Sequence, residues 1–192
     1  MKNAGRALVD GYKDSVSLKP HDSSEVYRRM GTQFFNNGNA QQAIEALEKA
    51  LTFNPDDADI LHKLGRSYQS TGKTKEALAK YRKVIALQPD NVKDRISASK
   101  ILIDENDFEA AIKLLEEASK LAPETAKIQY NLGLAYDKKK DYPKAIAHFE
   151  KAIEINPNMP KYHFSLGFTY DTMGDHKKAV ETLKRAVAVE KE

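Results

Sequence analysis

Side chains that could hold a metal or attack a substrate are few in this sequence. The 192 residues include no cysteine, which excludes disulfides, thiol catalysis and thiolate metal sites. Its five histidines show no metal-binding spacing such as His-x-x-x-His; they are His21, His62, His148, His163 and His176. The phosphate-binding patterns Gly-x-Gly-x-x-Gly and Gly-x-x-x-x-Gly-Lys-Ser/Thr are both absent. The sequence therefore predicts a protein without catalysis, cofactor or metal.

The overall charge is close to balanced. Lysine and arginine number 31 against 28 aspartates and glutamates, a formal net charge of +3. Nucleic-acid-binding domains usually concentrate a larger basic excess in one patch. The short run Lys138, Lys139 and Lys140 falls between two helical patterns, which is typical of a solvated turn. The sequence has no apolar segment long enough to span a membrane, and the residues after Met1 lack the apolar region of a secretory signal. We therefore expect a cytoplasmic protein, and any association with a membrane would be peripheral.

The elements that position the side chains follow an internal period of 34 residues. Glycines keep this interval in two pairs, 31 with 65 and 133 with 167. Two longer series in the same period are Pro55, Pro89, Pro123 and Pro157, and Ala43, Ala77, Ala111, Ala145 and Ala179. A period of this length indicates stacked pairs of helices.

Each repeat contains two blocks of apolar residues at helical spacing, with the repeats placed at 24–57, 58–91, 92–125, 126–159 and 160–192. In four repeats the blocks are separated by a residue that accepts left-handed backbone: Gly38, Gly72, Asn106 and Gly174. Proline stops the second helix because it has no N–H to donate. We expect the glycine of the first helix and the alanine of the second to let the two backbones approach. Large residues, Tyr68 and Tyr81 or Tyr136 and Phe149, are expected to fill the space around that contact.

Two segments carry a resemblance to the tetratricopeptide repeat (TPR) family: QYNLGLAYDKKKDYPKAIAHFEKAIEINP at 129–157 and LHKLGRSYQSTGKTKEALAKYRKVIALQP at 61–89. The resemblance covers 24–192 and implies an all-α, right-handed superhelical solenoid of five helix-turn-helix units. Repeat 3 departs most, with Arg95 at an early apolar position and Ser99 at the glycine position. His163 stands at an early aromatic position, so we expect it to fill the core.

The resemblance also implies that the first helices line a concave face. Positions 2, 5, 9 and 12 of each repeat point there by helical spacing. Positions 2, 5 and 9 hold six fixed positive charges against two negative ones, Glu25 and Asp59. The resulting candidate groove consists of Arg28, His62, Arg66, Lys93, Lys100, Lys127, Tyr130, Leu134, Lys161, Phe164 and Phe168.

A basic groove with an apolar end favours an acidic protein segment, extended or helical, with one or two apolar anchors. We therefore expect a non-catalytic scaffold or adaptor that binds proteins. Two alternatives stay open: a co-chaperone-type repeat protein and a nucleic-acid-binding helical repeat. The resemblance weighs against a chaperone carboxylate clamp, because Thr32 and Ile96 stand at positions where that clamp requires asparagine and a basic residue. Aromatics interleaved with arginine, as single-strand binders use, are not evident.

Self-association is a further expectation. Residues 4–18 resemble the second helix of a half-repeat, and 1–23 are assigned to this leading helix and a linker. Its apolar side and that of the last helix would favour contact between molecules; the residues are Leu8, Tyr12, Val16, Val180, Leu183 and Val187. Frayed ends are the alternative. Five repeats and the segment VYRRMG at 26–31 also resemble magnetosome-associated TPR scaffolds, which implies a homo-oligomer on an organelle membrane.

Overall fold

A computed structural model describes the backbone of residues 20–191 and the side chains of residues 23–190. Every regular element in this part of the chain is an α-helix, which confirms the all-α repeat fold. The helices are α1 Pro20–Asn36, α2 Ala40–Phe53, α3 Ala58–Ser70, α4 Thr74–Leu87, α5 Val92–Asp104, α6 Phe108–Leu121, α7 Ala126–Lys138, α8 Tyr142–Ile155, α9 Pro160–Thr172 and α10 His176–Lys191.

The start of α1 differs from the expectation. Residues 1–23 were assigned to a leading helix and a linker, but α1 already begins at Pro20. Proline is tolerated there because the first turn of a helix has no partner for its N–H groups. Residues 20–23 therefore belong to the first helix of repeat 1. The predicted leading helix at 4–18, with Leu8, Tyr12 and Val16, lies outside the described residues.

The chain divides into two compact bodies, one ending at Lys83 and the other beginning at Val84. In the N-terminal body, α1 packs on α2 and α3, and α2 packs on α3. In the C-terminal body, the helices of each repeat pack as the pairs α5–α6, α7–α8 and α9–α10. Successive repeats meet through α6–α7 and α8–α9, while the first helices α5, α7 and α9 also contact in order.

Helix boundaries follow local side-chain chemistry. Asp57, Asn91 and Asp107 accept hydrogen bonds from backbone N–H groups three residues ahead, at 3.0, 2.9 and 3.2 Å. These caps satisfy donors that the first turn leaves without partners. The second helices of repeats 1 to 4 end two residues before their proline, as predicted. Left-handed backbone occurs at the three predicted glycines and Asn106, and also at Lys140, with φ of 66°.

Glycine in the first helix faces a large side chain in the second. A Cβ built on Gly65 would lie 2.5 Å from Cε1 of Tyr81, and one built on Gly133 would lie 2.5 Å from Cδ1 of Phe149. Ordinary carbon contacts need about 3.5–4.0 Å, so any side chain here would overlap a ring. The alanine series is buried with it, from 0% exposure at Ala145 to 2% at Ala179. The predicted close contact of the two helices is confirmed.

Candidate partner-binding face

The first helices of repeats 3, 4 and 5 carry a series of exposed lysines in the C-terminal body. Lys93, Lys127 and Lys161 occupy the same position of their repeats, on α5, α7 and α9. One turn further along each helix the matching side chain is apolar. We name the predicted groove residues of these helices the basic–aromatic face: Lys93, Lys100, Lys127, Tyr130, Leu134, Lys161, Phe164 and Phe168.

Three of these lysines, Lys100, Lys127 and Lys161, are linked by their electrostatic effects on Lys100, and we name them the lysine triad. The pKa of Lys100 is lowered, and partial burial is the largest cause. The positive charges of Lys127 and Lys161 lower this pKa further, while the negative charge of Asp104 raises it. The helices that carry these lysines contact in sequence, α5 with α7 and α7 with α9. None of the ion pairs found among residues 23–190 involves a triad lysine.

Two tyrosine rings position Lys161. Its Nζ lies 5.1 Å from the ring centroid of Tyr130 and 5.4 Å from that of Tyr162. The two rings are 4.9 Å apart, and Tyr162 is buried in a core cluster with Ala126 and Ala152. A cation–π contact orients the ammonium group but leaves its positive charge intact, because the rings are neutral. The charge is therefore held in place and still able to attract an anion.

The apolar part of the face lies on α7 and α9. Phe164 and Phe168 are stacked with centroids 6.4 Å apart, and Phe168 is 60% exposed. Tyr130 and Leu134 are partly buried against the core cluster of Phe149 and Leu166. An exposed aromatic ring stacked on a partly buried one, beside anchored apolar side chains, is typical of a surface that buries a partner.

The aspartates at position 12 of repeats 4 and 5 are used locally. Asp137 accepts a hydrogen bond from the hydroxyl of Thr169 at 2.8 Å, and Asp171 lies 2.7 Å from Nδ1 of His176. Neither pairs with the lysine triad in the described structure. The positive charge of the face is thus compensated within the helices only weakly, through Asp104.

The N-terminal body differs in its charge balance. Arg28 pairs with Glu25, Asp57 and Asp59 at 3.7, 3.8 and 3.7 Å. The guanidinium of Arg66 lies 5.0 Å from the Phe35 ring centroid. His62 is half-buried, with its ring 6.5 Å from that of Tyr81. These three predicted groove residues are therefore engaged inside their own body, Arg28 by acidic side chains and the other two by aromatic rings.

Outside the face, histidines and the lysine run have structural roles. His163 is buried, with Nε2 2.8 Å from the carbonyl oxygen of Pro157, as expected for a core-filling residue. Lys138 is the last residue of α7, Lys139 and Lys140 form the turn that follows, and Lys139 donates to Glu109 at 2.6 Å. Among the described residues, no group of three His, Cys, Asp or Glu side chains could hold a metal ion.

Three features were missed by sequence reasoning. Arg95 is buried, and it donates to the carbonyl oxygen of Asn91 at 3.0 Å while lying 3.6 Å from Glu117. The hydroxyl of Ser165 donates to that of Tyr130 at 3.4 Å across α9 and α7. The third feature is the effect of Lys127 and Lys161 on the pKa of Lys100. Residue type and helical phase carry no signal for these contacts, which depend on how neighbouring helices cross.

The self-association residues on α10 divide into two kinds. Val180 and Val187 are 53% and 42% exposed. Leu183 is instead packed inside repeat 5, since its Cδ2 would lie 2.8 Å from a Cβ on Gly167. The phase of α10 places Leu183 at the position that Tyr81 and Phe149 fill in other repeats, so Leu183 is not part of an exposed surface.

None of the described helices combines the length and the apolar character needed to cross a membrane.

Comparison with protein families defines the class of this protein. Models described as tetratricopeptide repeat match residues 58–91, 126–159 and 148–181, and a model described as TPR repeat matches 31–72 and 100–140. The chain belongs to the tetratricopeptide repeat family.

Among solved structures, this chain is similar to several of MamA. MamA 41-end from Desulfovibrio magneticus RS-1 aligns with a TM-score of 0.83 and 27% identity, covering 88% of this chain and 96% of that one. Two further MamA crystal structures align at TM-scores of 0.80 and 0.78, with 28% and 29% identity. They cover 89% and 84% of this chain and 93% and 95% of theirs. None of the curated protein sequences matches.

Proposed function

We propose that this protein is a non-catalytic TPR scaffold that binds an acidic, partly apolar segment of a partner protein on its basic–aromatic face. The observation that carries this proposal is the presence of exposed lysines on α5, α7 and α9 beside the aromatic side chains of α7 and α9, among which Phe168 is exposed. The lysines attract and orient an acidic segment, which raises the rate of encounter. The aromatics supply apolar area, which slows its release.

Capture of a probe peptide tests this proposal. The probe is a fluorescent peptide containing several glutamates and two phenylalanines, together with a version in which lysines replace the glutamates. We expect the purified protein to bind the acidic peptide and not the basic one. Replacing Lys93, Lys100 and Lys127 with glutamate is expected to reduce affinity at least about tenfold, because three attractive contacts become repulsive.

A matched variant separates local from overall charge. Glutamate at Lys113, Lys120 and Lys151, which are exposed on the second helices α6 and α8, changes the net charge by the same amount. This control is expected to retain most of the affinity, and both variants should keep a helical circular dichroism spectrum because exposed charges contribute little stability. Equal binding by the wild type and by the Lys93, Lys100 and Lys127 variant would refute the proposal.

The MamA similarity supports a cellular setting. Resemblance to magnetosome-associated TPR scaffolds favours a cytoplasmic protein that sits on an organelle surface and recruits other proteins. A fluorescent fusion in the source organism tests this setting. A signal confined to an organelle surface would support it, and a uniform cytoplasmic signal would contradict it.

Assembly with further copies is part of the proposed scaffold role. The exposed side chains of Val180 and Val187 support it, since apolar surface on α10 favours contact with a second molecule. Sedimentation of the full chain and of a chain lacking residues 1–20 is the test. Oligomers that dissociate on this deletion would support the role, and a monomeric full chain at high concentration would contradict it.

A further inference from the structure

We propose that Lys161 and Tyr130 together form a subsite for one carboxylate side chain, glutamate or aspartate, of the partner segment. This inference rests on the proposed function and deepens it, because the carboxylate belongs to the acidic segment that the basic–aromatic face binds. It assigns to one pair of donors the selection of an acid over its neutral amide.

Contacts between α7 and α9 hold the two donors in place. The Nζ atom of Lys161 lies 5.1 Å from the ring centroid of Tyr130 and 5.4 Å from that of Tyr162. The two rings are 4.9 Å apart, and Tyr162 is buried. On its other contact, the ring of Tyr130 lies 5.8 Å from that of Phe149. The Tyr130 hydroxyl is attached to the same ring over which the ammonium group lies, so both donors are within reach of one small group.

Both donors of the subsite are available to a ligand. The hydroxyl of Tyr130 accepts a hydrogen bond from the hydroxyl of Ser165 at 3.4 Å, which leaves its own hydrogen to donate. Lys161 is exposed, and its ammonium group takes part in none of the ion pairs found among the described side chains. Because the rings restrict Lys161 already, little side-chain freedom remains to be lost on binding.

Two neighbouring donors select a group with two acceptors. A carboxylate has two acceptor oxygens, so it can accept one hydrogen bond from Lys161 and another from Tyr130. The amide of glutamine has the same shape but only one acceptor oxygen, and its NH2 group would face a donor. The cation–π contacts leave the charge of Lys161 intact, and only the carboxylate neutralises it. The subsite therefore distinguishes an acid from its amide by charge and by hydrogen bonding together.

The surroundings favour a side chain within a longer segment over a terminal carboxylate. Phe164 and Phe168 follow Lys161 by about 4.5 and about 10.5 Å along the axis of α9. Phe168 is 60% exposed, and Lys127 on the neighbouring helix α7 is exposed as well. A segment that continues beyond the subsite on both sides would cover Phe168 with an apolar residue and bring a second acid to Lys127.

Peptides with an amidated C-terminus test the subsite, because their only carboxylates are side chains. The parent peptide is the acidic probe with two phenylalanines, and each of its glutamates is replaced in turn by glutamine. Fluorescence anisotropy gives the dissociation constants. We expect one replacement to weaken binding to the wild type about tenfold, because a charge-assisted contact is lost and a donor is left unmatched. The other replacements should weaken it about threefold or less, since they remove only solvent-screened attraction.

Variants of the protein locate that tenfold effect. Tyr130→Phe removes the hydroxyl but keeps the ring and its contacts, and it should reduce the effect to about threefold. Lys161→Met removes the charge but keeps an apolar side chain, and it should reduce the effect to about threefold or less. A purely structural effect of either variant would weaken the glutamate and glutamine peptides equally, and their ratio would not change.

Matched controls carry the same chemical changes outside the face. Tyr136→Phe removes a hydroxyl from α7 on a ring that stacks on His148. Lys151→Met removes an exposed positive charge from α8. Both controls should keep the full tenfold difference between the glutamate peptide and its glutamine version.

The outcomes separate this inference from the function on which it rests. An unchanged ratio in Tyr130→Phe, or equal effects of all glutamates in the peptide, would overturn the subsite and leave acidic-segment binding intact. Binding that requires a free C-terminal carboxylate would assign the subsite to a chain end and overturn the side-chain assignment. Binding of none of the peptides, amidated or free, would refute the proposed function itself.

Discussion

Replacing Ala145 with leucine tests the helix-pair contact at its tightest position. Ala145 has 0% exposure and packs in a core cluster with Phe149 and Leu166. Leucine adds three carbon atoms at a site whose neighbours are themselves fully or almost fully buried. The side chain has no route to solvent, so Phe149 or the backbone of α8 must move.

The magnitude of this effect follows from overpacking. Extra methylene groups in a filled core typically cost about 1–3 kcal/mol. Alanine and leucine differ by only a few tenths of a kcal/mol in helix propensity, so the backbone preference of α8 changes little. We therefore expect Ala145→Leu to lower the free energy of unfolding by about 1–3 kcal/mol.

Ala147 supplies a matched control for the same substitution. It lies on the same helix but is exposed, so Ala147→Leu makes the same chemical change without entering the core. Urea unfolding followed by circular dichroism gives both free energies. Ala77→Leu and Ala79→Leu form the corresponding buried and exposed pair in the N-terminal body. Equal unfolding free energies of the two variants in both pairs would refute the assigned helix contact.

Two further predictions concern one backbone and one ionisable side chain. Lys140 has a φ of 66°, so Lys140→Gly should raise the free energy of unfolding by about 0.5–1 kcal/mol through relief of left-handed strain. Lys138→Gly, at the end of α7, should instead lower the free energy of unfolding. A Lys140→Gly variant that is destabilised in urea would contradict this reasoning. Burial and then the charge of Lys151 lower the pKa of His148, with a smaller effect of Lys144, against the opposing effect of Glu116. The unfolded chain binds a proton more readily, so stability should fall as the pH drops from about 7.5 to about 5, and His148→Gln should lose less stability over this range. Equal losses in the two proteins would refute the assignment to His148.

Sequence periodicity was sufficient to predict the helix pairs and their close contact. Gly65, Gly133 and the alanine series have fixed places because a backbone contact tolerates only small residues. The prolines have fixed places because they end helices. These constraints act within one repeat, so they remain visible in the spacing of residue types.

Contacts between repeats were harder to predict. Lys127 and Lys161 were placed on one face by helical phase, but their effect on the pKa of Lys100 depends on the packing of α5, α7 and α9. Arg28 was placed on the same face by helical phase, yet it is paired with Asp57 at the end of its own repeat and with Asp59 of the next repeat. Long side chains choose such partners by rotamer and local crossing geometry, and periodicity does not encode either.

The contact between glycine and a large side chain has a consequence for how such an array is inherited. The partners are 16 residues apart in every case that the structure describes: Gly31 with Leu47, Gly65 with Tyr81, Gly133 with Phe149, and Gly167 with Leu183. Both members of each pair therefore lie within one 34-residue repeat. Duplication or deletion of a whole repeat in the gene adds or removes both partners together. The tightest steric match in the protein thus survives changes in repeat number, while a cut inside a repeat separates a glycine from the side chain that requires it.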